Sequence, residues 1–240
     1  MDASIQQITL SGPGKNSLST ELLQHLRAEL RAADGRPVLL TGDGDTFCAG
    51  LNLVEVASLT PDSAVPFLEL LTDTVRELFN YPGPTVAYIN GHAIAGGCVV
   101  ALACDIRVAV DNDKTRIGLN EAAIGLRFPP ALLRMASHLL PAQHRTKVIL
   151  GAGLFAPKQA RRLGLLDEVD EDAAITARTI LTRLAGHPPD IYSATKADLR
   201  AGVMDINKDE ERRFLNEIMP IWTSERLKTA IAAILNKSSK

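Results

Sequence analysis

The chain has 240 residues, roughly one and a half average domains. A chain of that size buries about seven-tenths of its unfolded surface without disulfide or metal staples. Hydrophobic residues make up 46% and charged residues 22%, and the mean hydropathy is +0.05, as in ordinary globular domains. Twenty-six Lys and Arg face 28 Asp and Glu, a net charge of −2, which leaves no electrostatic footprint for nucleic acid or an anionic membrane. Six Phe, three Tyr and one Trp are too few for a base-stacking platform.

Residues 5–10 alternate apolar and polar, the pattern of a half-buried strand. In residues 19–33, Leu22, Leu23, Leu26 and Leu30 share one helical face and Ser19 stands where an N-cap belongs. Residues 37–41 form a short apolar run closed by the turn residues Gly42-Asp43-Gly44-Asp45, a buried strand that ends in a loop. Thr60 followed by Pro61 reads as N-cap and first helical residue of a helix running towards Tyr81. Residues 84–90 are the next strand, 91–97 a glycine-rich turn, 99–104 a small-residue helix, and 105–110 a return to strand. Strand, crossover and strand predict parallel pairing with right-handed connections.

From about Pro130 onward the pattern is nearly all helical, with one strand-like stretch at 166–169. Pro188-Pro189 marks a boundary, giving a core over 1–187 and a helical C-terminal segment over 188–240. In that segment Leu227, Ala230, Ile231, Ile234 and Leu235 follow helical spacing, an apolar face for packing on the chain itself or on another subunit.

Cys48, Cys98 and Cys104 are odd in number and lack CxxC spacing, so a reducing, cytoplasmic setting is expected. Residues 1–7 carry neither the basic nor the apolar region of a signal peptide, and 236–240 form a polar tail. The longest apolar stretch, 93–104, is too short to span a bilayer. The five His and three Cys fall into no metal-ligand spacing, so no metal site is expected. Gly151-Ala152-Gly153-Leu154-Phe155-Ala156 matches a dinucleotide fingerprint in letters, but Pro157 places the next helix after the glycines, the pattern of a plain connection between helices.

Two glycine-containing turns follow buried strands: Thr46-Phe47-Cys48-Ala49-Gly50-Leu51-Asn52-Leu53 and Asn90-Gly91-His92-Ala93-Ile94-Ala95-Gly96-Gly97-Cys98. Small residues there allow backbone to approach backbone, and N–H groups at a turn entering a helix are unpaired donors. Two such turns side by side hold one oxygen between two N–H groups, whereas Gly-Gly before a helix also serves plain tight packing. A third segment, Ile117-Gly118-Leu119-Asn120-Glu121-Ala122-Ala123-Ile124-Gly125-Leu126, carries one carboxylate among apolar residues. Glu121 is either a solvent-facing helix start or a desolvated acid with a raised pKa, and the residues alone do not separate the two.

Taken together, these segments resemble the enoyl-CoA hydratase/isomerase (crotonase) superfamily over nearly the whole chain. Phe47-Cys48-Ala49-Gly50-Leu51-Asn52-Leu53 looks like its first oxyanion turn. Ala95-Gly96-Gly97-Cys98, with the helix ending Ala103-Cys104-Asp105, looks like its second. The resemblance implies an α/β fold, a spiral of ββα units with a helical C-terminal segment, and assembly as a homotrimer or a dimer of trimers. It implies an acyl-CoA thioester as substrate and no cofactor beyond the CoA it carries. By the same resemblance the N–H groups of Leu51 and Gly96 bind the thioester oxygen. Ala49, Asn52, Leu53 and Asn120 meet the rest of the substrate, and Glu121 is the proton carrier.

Hydratases of that family use a second glutamate directly after Gly-Gly-Cys, where this chain has Val99. Adding water across a double bond uses two acids together, while a 1,3-proton shift uses one. The segment Gly118-Leu119-Asn120-Glu121 resembles the mitochondrial-type Δ3,Δ2-enoyl-CoA isomerases, so the expected reaction moves a 3-enoyl-CoA double bond to C2. Hydration, decarboxylation, thioester hydrolysis and non-catalytic acyl-CoA binding are the competing expectations. Three features depart from the family pattern: a first strand missing or shortened before Ile5, Arg127-Phe128-Pro129-Pro130 in place of a glycine-rich loop, and thiols at Cys48 and Cys98. The thiols read as small buried fillers and His92 as a packing residue.

Overall fold

The structure is a computed structural model that describes residues 4–238, without the side chains of the last two. The first strand expected to be missing or shortened before Ile5 falls partly outside the described residues, as does the end of the polar tail. Among the described residues, eight strands form two parallel sheets. The larger contains β1 (Gln6–Leu10), β2 (Val38–Gly42), β4 (Thr85–Ile89), β6 (Ile106–Val110) and β8 (Glu168–Asp170), in that order. The smaller contains β3 (Thr46–Cys48), β5 (His92–Ile94) and β7 (Ile117–Gly118). Each strand of the pairs β2–β3, β4–β5 and β6–β7 steps from the large sheet to the small one and then into a helix. The chain therefore winds as a spiral of ββα units.

Parallel sheets are covered on both faces, and the register shows how. Ile8, Leu40 and Ala87 lie opposite one another across β1, β2 and β4 and enter the main core. The alternate positions Leu39, Val86 and Val108 face the other way, where the helix Ala173–Ala185 covers them with Ala173, Ala177 and Leu181. On the first face, the helix Thr20–Ala33 is capped by the Ser19 hydroxyl, which accepts from Leu22 N–H, and buries the expected Leu22, Leu23, Leu26 and Leu30. The helix Pro61–Phe79 starts in a capping box between Thr60 and Ser63 and ends two residues before Tyr81.

Three short strands correct the sequence reading. The two glycine-rich segments are not turns throughout: β3 and β5 lie inside them and pair in parallel, Thr46 with His92 and Cys48 with Ala93. Runs of two or three residues are too short for a period-two pattern to register. The small-residue helix spans Gly96–Ala103, starting three residues before the expected 99. The strand expected at 166–169 is Glu168–Asp170. The segment 151–156 does connect two helical stretches, Thr146–Leu150 and Pro157–Arg162, and Phe155 adds an antiparallel bridge to Ile117.

The C-terminal helices return to the core. Helix Pro189–Arg200 docks on Asp105, whose carboxylate receives Lys196 Nζ at 2.8 Å, Arg200 Nη2 at 2.7 Å and the Tyr192 hydroxyl at 2.9 Å. Lys196 Nζ also donates to the Gly83 carbonyl at 2.9 Å. The apolar face starting at Leu227, expected to pack on the chain itself or on another subunit, packs on its own chain through Leu227, 2% exposed, and Ile231, 0%. The helix Glu225–Ser238 touches both Leu53–Ser58 and Glu121–Ile124. That placement closes it over the segments singled out from the sequence.

Candidate active site

The two turns meet backbone to backbone. A Cβ on Gly50 would stand 2.9 Å from the Ile94 carbonyl oxygen and 3.7 Å from the Gly96 nitrogen. A Cβ on Gly96 would lie 3.3 Å from the Leu51 side chain. Leu18 bridges Leu51 in parallel: Leu18 N–H donates to Gly50 O at 2.7 Å and Asn52 N–H to Leu18 O at 3.0 Å. In a parallel bridge the neighbours' groups face the partner, so the N–H of Leu51 itself points to the opposite side. Gly96 is the first residue of its helix, where an N–H has no intrahelical acceptor. Ala95 before it adopts φ 48° and ψ −121°, a strained conformation for a residue with a Cβ, of the kind that collects at functional sites.

Asn52 caps the helix Leu53–Ser58, its Oδ1 accepting from Val54 N–H at 3.1 Å and Glu55 N–H at 3.2 Å. Glu55 in turn accepts from Thr20 N–H at 3.0 Å and from its hydroxyl at 2.5 Å, tying this helix to Thr20–Ala33. Since the Asn52 N–H and carbonyl also serve the local backbone, this residue holds the first turn in shape.

Glu121 opens the short helix Glu121–Ile124 and is 7% exposed. Burial pushes its carboxyl up to about 8, opposed by its own backbone N–H. The structure thus separates the two sequence readings in favour of the desolvated acid. Glu121 Oε2 and the neighbouring Asn120 Oδ1 are buried without a hydrogen-bond partner. Buried polar atoms are rarely left unpaired, and these two border one cavity of about 730 Å³.

Every residue expected at the site lines that cavity: Ala49, Leu51, Asn52, Leu53, Gly96, Asn120 and Glu121. Val99 lines it too, 2% exposed, so the position after Gly-Gly-Cys contributes a hydrocarbon surface. Sequence reasoning missed several wall residues. Lys15 stands at the rim on the turn Gly14-Lys15-Asn16, whose three residues all have positive φ. Leu71, Phe128, Leu132 and Trp222 add apolar wall, and Ile234 and Leu235 bring the C-terminal helix onto it. A Gly-Pro-Gly run before Lys15 and the lone Trp of the chain were the available signals.

Cys48 and Cys98 do not line the cavity, and burial raises both thiols, Cys48 to about 12. Thiols held protonated are inert fillers at neutral pH. His92 also lies outside the lining, its Nδ1 accepting from Arg116 N–H at 2.9 Å. Among the described residues, no group of three or more His, Cys, Asp and Glu is placed to hold a metal ion. No helix among them is long and apolar enough to cross a membrane.

With this geometry established, comparisons with known proteins agree on one family. A family model described as Enoyl-CoA hydratase/isomerase matches residues 1–229. The mouse protein Enoyl-CoA delta isomerase 1, mitochondrial, is 30% identical over 210 residues, covering 85% of this chain and 73% of the mouse protein. A probable enoyl-CoA hydratase of Mycobacterium tuberculosis is 29% identical over 219 residues, covering 88% of this chain and 85% of its own length. Among solved structures, human mitochondrial delta3-delta2-enoyl-CoA isomerase superposes with a TM-score of 0.92 at 26% identity, covering 99% of this chain and 95% of the human one.

Proposed function

Because the chain belongs to the enoyl-CoA hydratase/isomerase family, we propose that it moves the double bond of 3-enoyl-CoA thioesters to C2, with Glu121 as the single proton carrier. The observation that carries this reading is one buried carboxylate, its Oε2 without a hydrogen-bond partner, in a cavity where Val99 occupies the place of a second acid.

The thioester oxygen sits between the N–H groups of Leu51 and Gly96. The Glu121 carboxylate takes a proton from C2, and the released electron pair forms the enolate, whose charge the two N–H groups stabilise. The electrons then return to the carbonyl, C2 and C3 become doubly bonded, and the C3–C4 pair takes the proton back from Glu121 at C4. No atom is gained or lost. The raised pKa brings the carboxylate nearer the strength a carbon acid demands. Val99 and the apolar wall keep out the water that hydration would consume. Lys15 at the rim offers a cation to the phosphates of CoA, and no cofactor beyond that CoA is used.

Hydratase-named relatives of similar identity favour hydration of 2-enoyl-CoA as a second reading. The deciding assay offers a 3-enoyl-CoA and a 2-enoyl-CoA separately and analyses products by absorbance and mass. Isomerisation without a 3-hydroxyacyl product supports the proposal, and robust hydration overturns it. The proposal also includes a homotrimer or a dimer of trimers, to be read as the mass in light scattering, and a cytoplasmic setting.

A further inference from the structure

Two cavities meet at one short segment. The catalytic cavity and a second of about 370 Å³ both use Leu126, Arg127 and Phe128 as wall. The second space is lined beyond that wall by Leu133, Ile149, Leu150 and Ile218, with the Arg134–Glu210 ion pair, 2.5 Å, at its edge. The dividing segment is fastened at several points. Leu126 N–H donates to the Glu121 carbonyl at 2.9 Å, and Trp222 Nε1–H to the Arg127 carbonyl at 3.2 Å. Pro129 and Pro130 then fix the chain as it enters the helix Pro130–Leu139. Leu126 is buried, Arg127 turns outward to within 3.8 Å of Glu217, and Phe128 is half-buried between the two spaces.

We infer that Phe128 is the partition that sets the acyl-chain limit, the acyl chain ending against its ring. The inference rests on the reading that acyl-CoA thioesters occupy the catalytic cavity. On the catalytic side the lining around Phe128 includes Leu71, Leu126, Arg127, Leu132 and Trp222, and the Trp222 N–H is already engaged. Past the ring, the second space takes further methylenes against Leu133, Ile149, Leu150 and Ile218 once the ring is removed, with Arg134, Glu210 and Arg213 also in its lining.

Trp222 is the lone tryptophan of the chain and lines the cavity, so its fluorescence reports binding without turnover. Saturated acyl-CoAs of increasing length are titrated into wild type, Phe128→Ala, and Phe128→Ala with Leu133→Phe. In wild type, affinity rises about fourfold per methylene and then levels where the chain meets the ring. Phe128→Ala extends the rise past that plateau, a gain of about tenfold or more for two further methylenes, with circular dichroism and the urea midpoint verifying its fold. Leu133→Phe, filling the second space from a partly exposed position, reverses that gain. A uniform change at all lengths, no change, or a gain that survives Leu133→Phe overturns the partition. Failure of the isomerase assay alone would sink the proposed reaction and leave this binding series standing.

Discussion

Gly97 lies against the backbone of Cys48 so closely that a Cβ on it would fall 2.3 Å from the Cys48 carbonyl oxygen and 2.8 Å from the Cys48 Cβ. This contact joins the helix Gly96–Ala103 to β3, and with it the two turns that carry the Leu51 and Gly96 N–H groups. Gly97→Ala therefore forces the turns apart. The expected result is a loss of about 1–3 kcal/mol in urea unfolding and a fall in kcat of about a hundredfold or more, as when an oxyanion donor is misplaced. An alanine variant with wild-type kcat would show that the contact does not set the donors.

Glu121 must be ionised to take a proton, and burial holds its carboxyl near 8. The kcat/KM for a 3-enoyl-CoA should therefore climb with pH through neutrality and flatten above about 8, following the free enzyme's essential base. A profile already flat from pH 5 would place the base elsewhere.

The same shift predicts a stability effect of opposite sense. Folded Glu121 holds its proton to higher pH than the unfolded side chain, whose ordinary value is 4.5. The stability tied to that proton is complete below about 4.5 and is lost as pH rises through about 8. Glu121→Gln removes the dependence. The variant should match wild type near pH 4 and exceed it above pH 8 by up to about 5 kcal/mol, read by urea unfolding across pH.

Asp105 holds two buried cations, Lys196 and Arg200, on side chains that are each about nine-tenths buried. Burial, opposed by Asp105, lowers Lys196 to about 8. Asp105→Asn strands both cations and should destabilise the protein by about 3–5 kcal/mol. Lys196→Met leaves Asp105 with Arg200 and Tyr192, and should destabilise far less. Unfolding midpoints of the two variants test the order, and equal losses would contradict it.

Much of the architecture was legible because it rests on local rules. The Ser19 and Thr60 caps, the leucine face of the first long helix and the first four parallel strands of the large sheet stand where the pattern placed them. The small sheet was not legible, because β3, β5 and β7 owe their form to neighbours far along the chain. Glu121 was visible as a lone acid among apolar residues, but its burial depends on packing that no spacing encodes. Lys196 lies 91 positions from Asp105, and nothing near either residue announces the pair. The face from Leu227 to Leu235 was correctly apolar, yet only the fold shows that it turns onto its own cavity.

The central claim is that one carboxylate carries the proton from C2 to C4. Its most direct test is the kcat of Glu121→Gln on a 3-enoyl-CoA, with saturated acyl-CoA binding as the control for an intact cavity. The account predicts a fall of about 10²–10⁴-fold with binding preserved. Isomerase activity retained by the glutamine variant would contradict it.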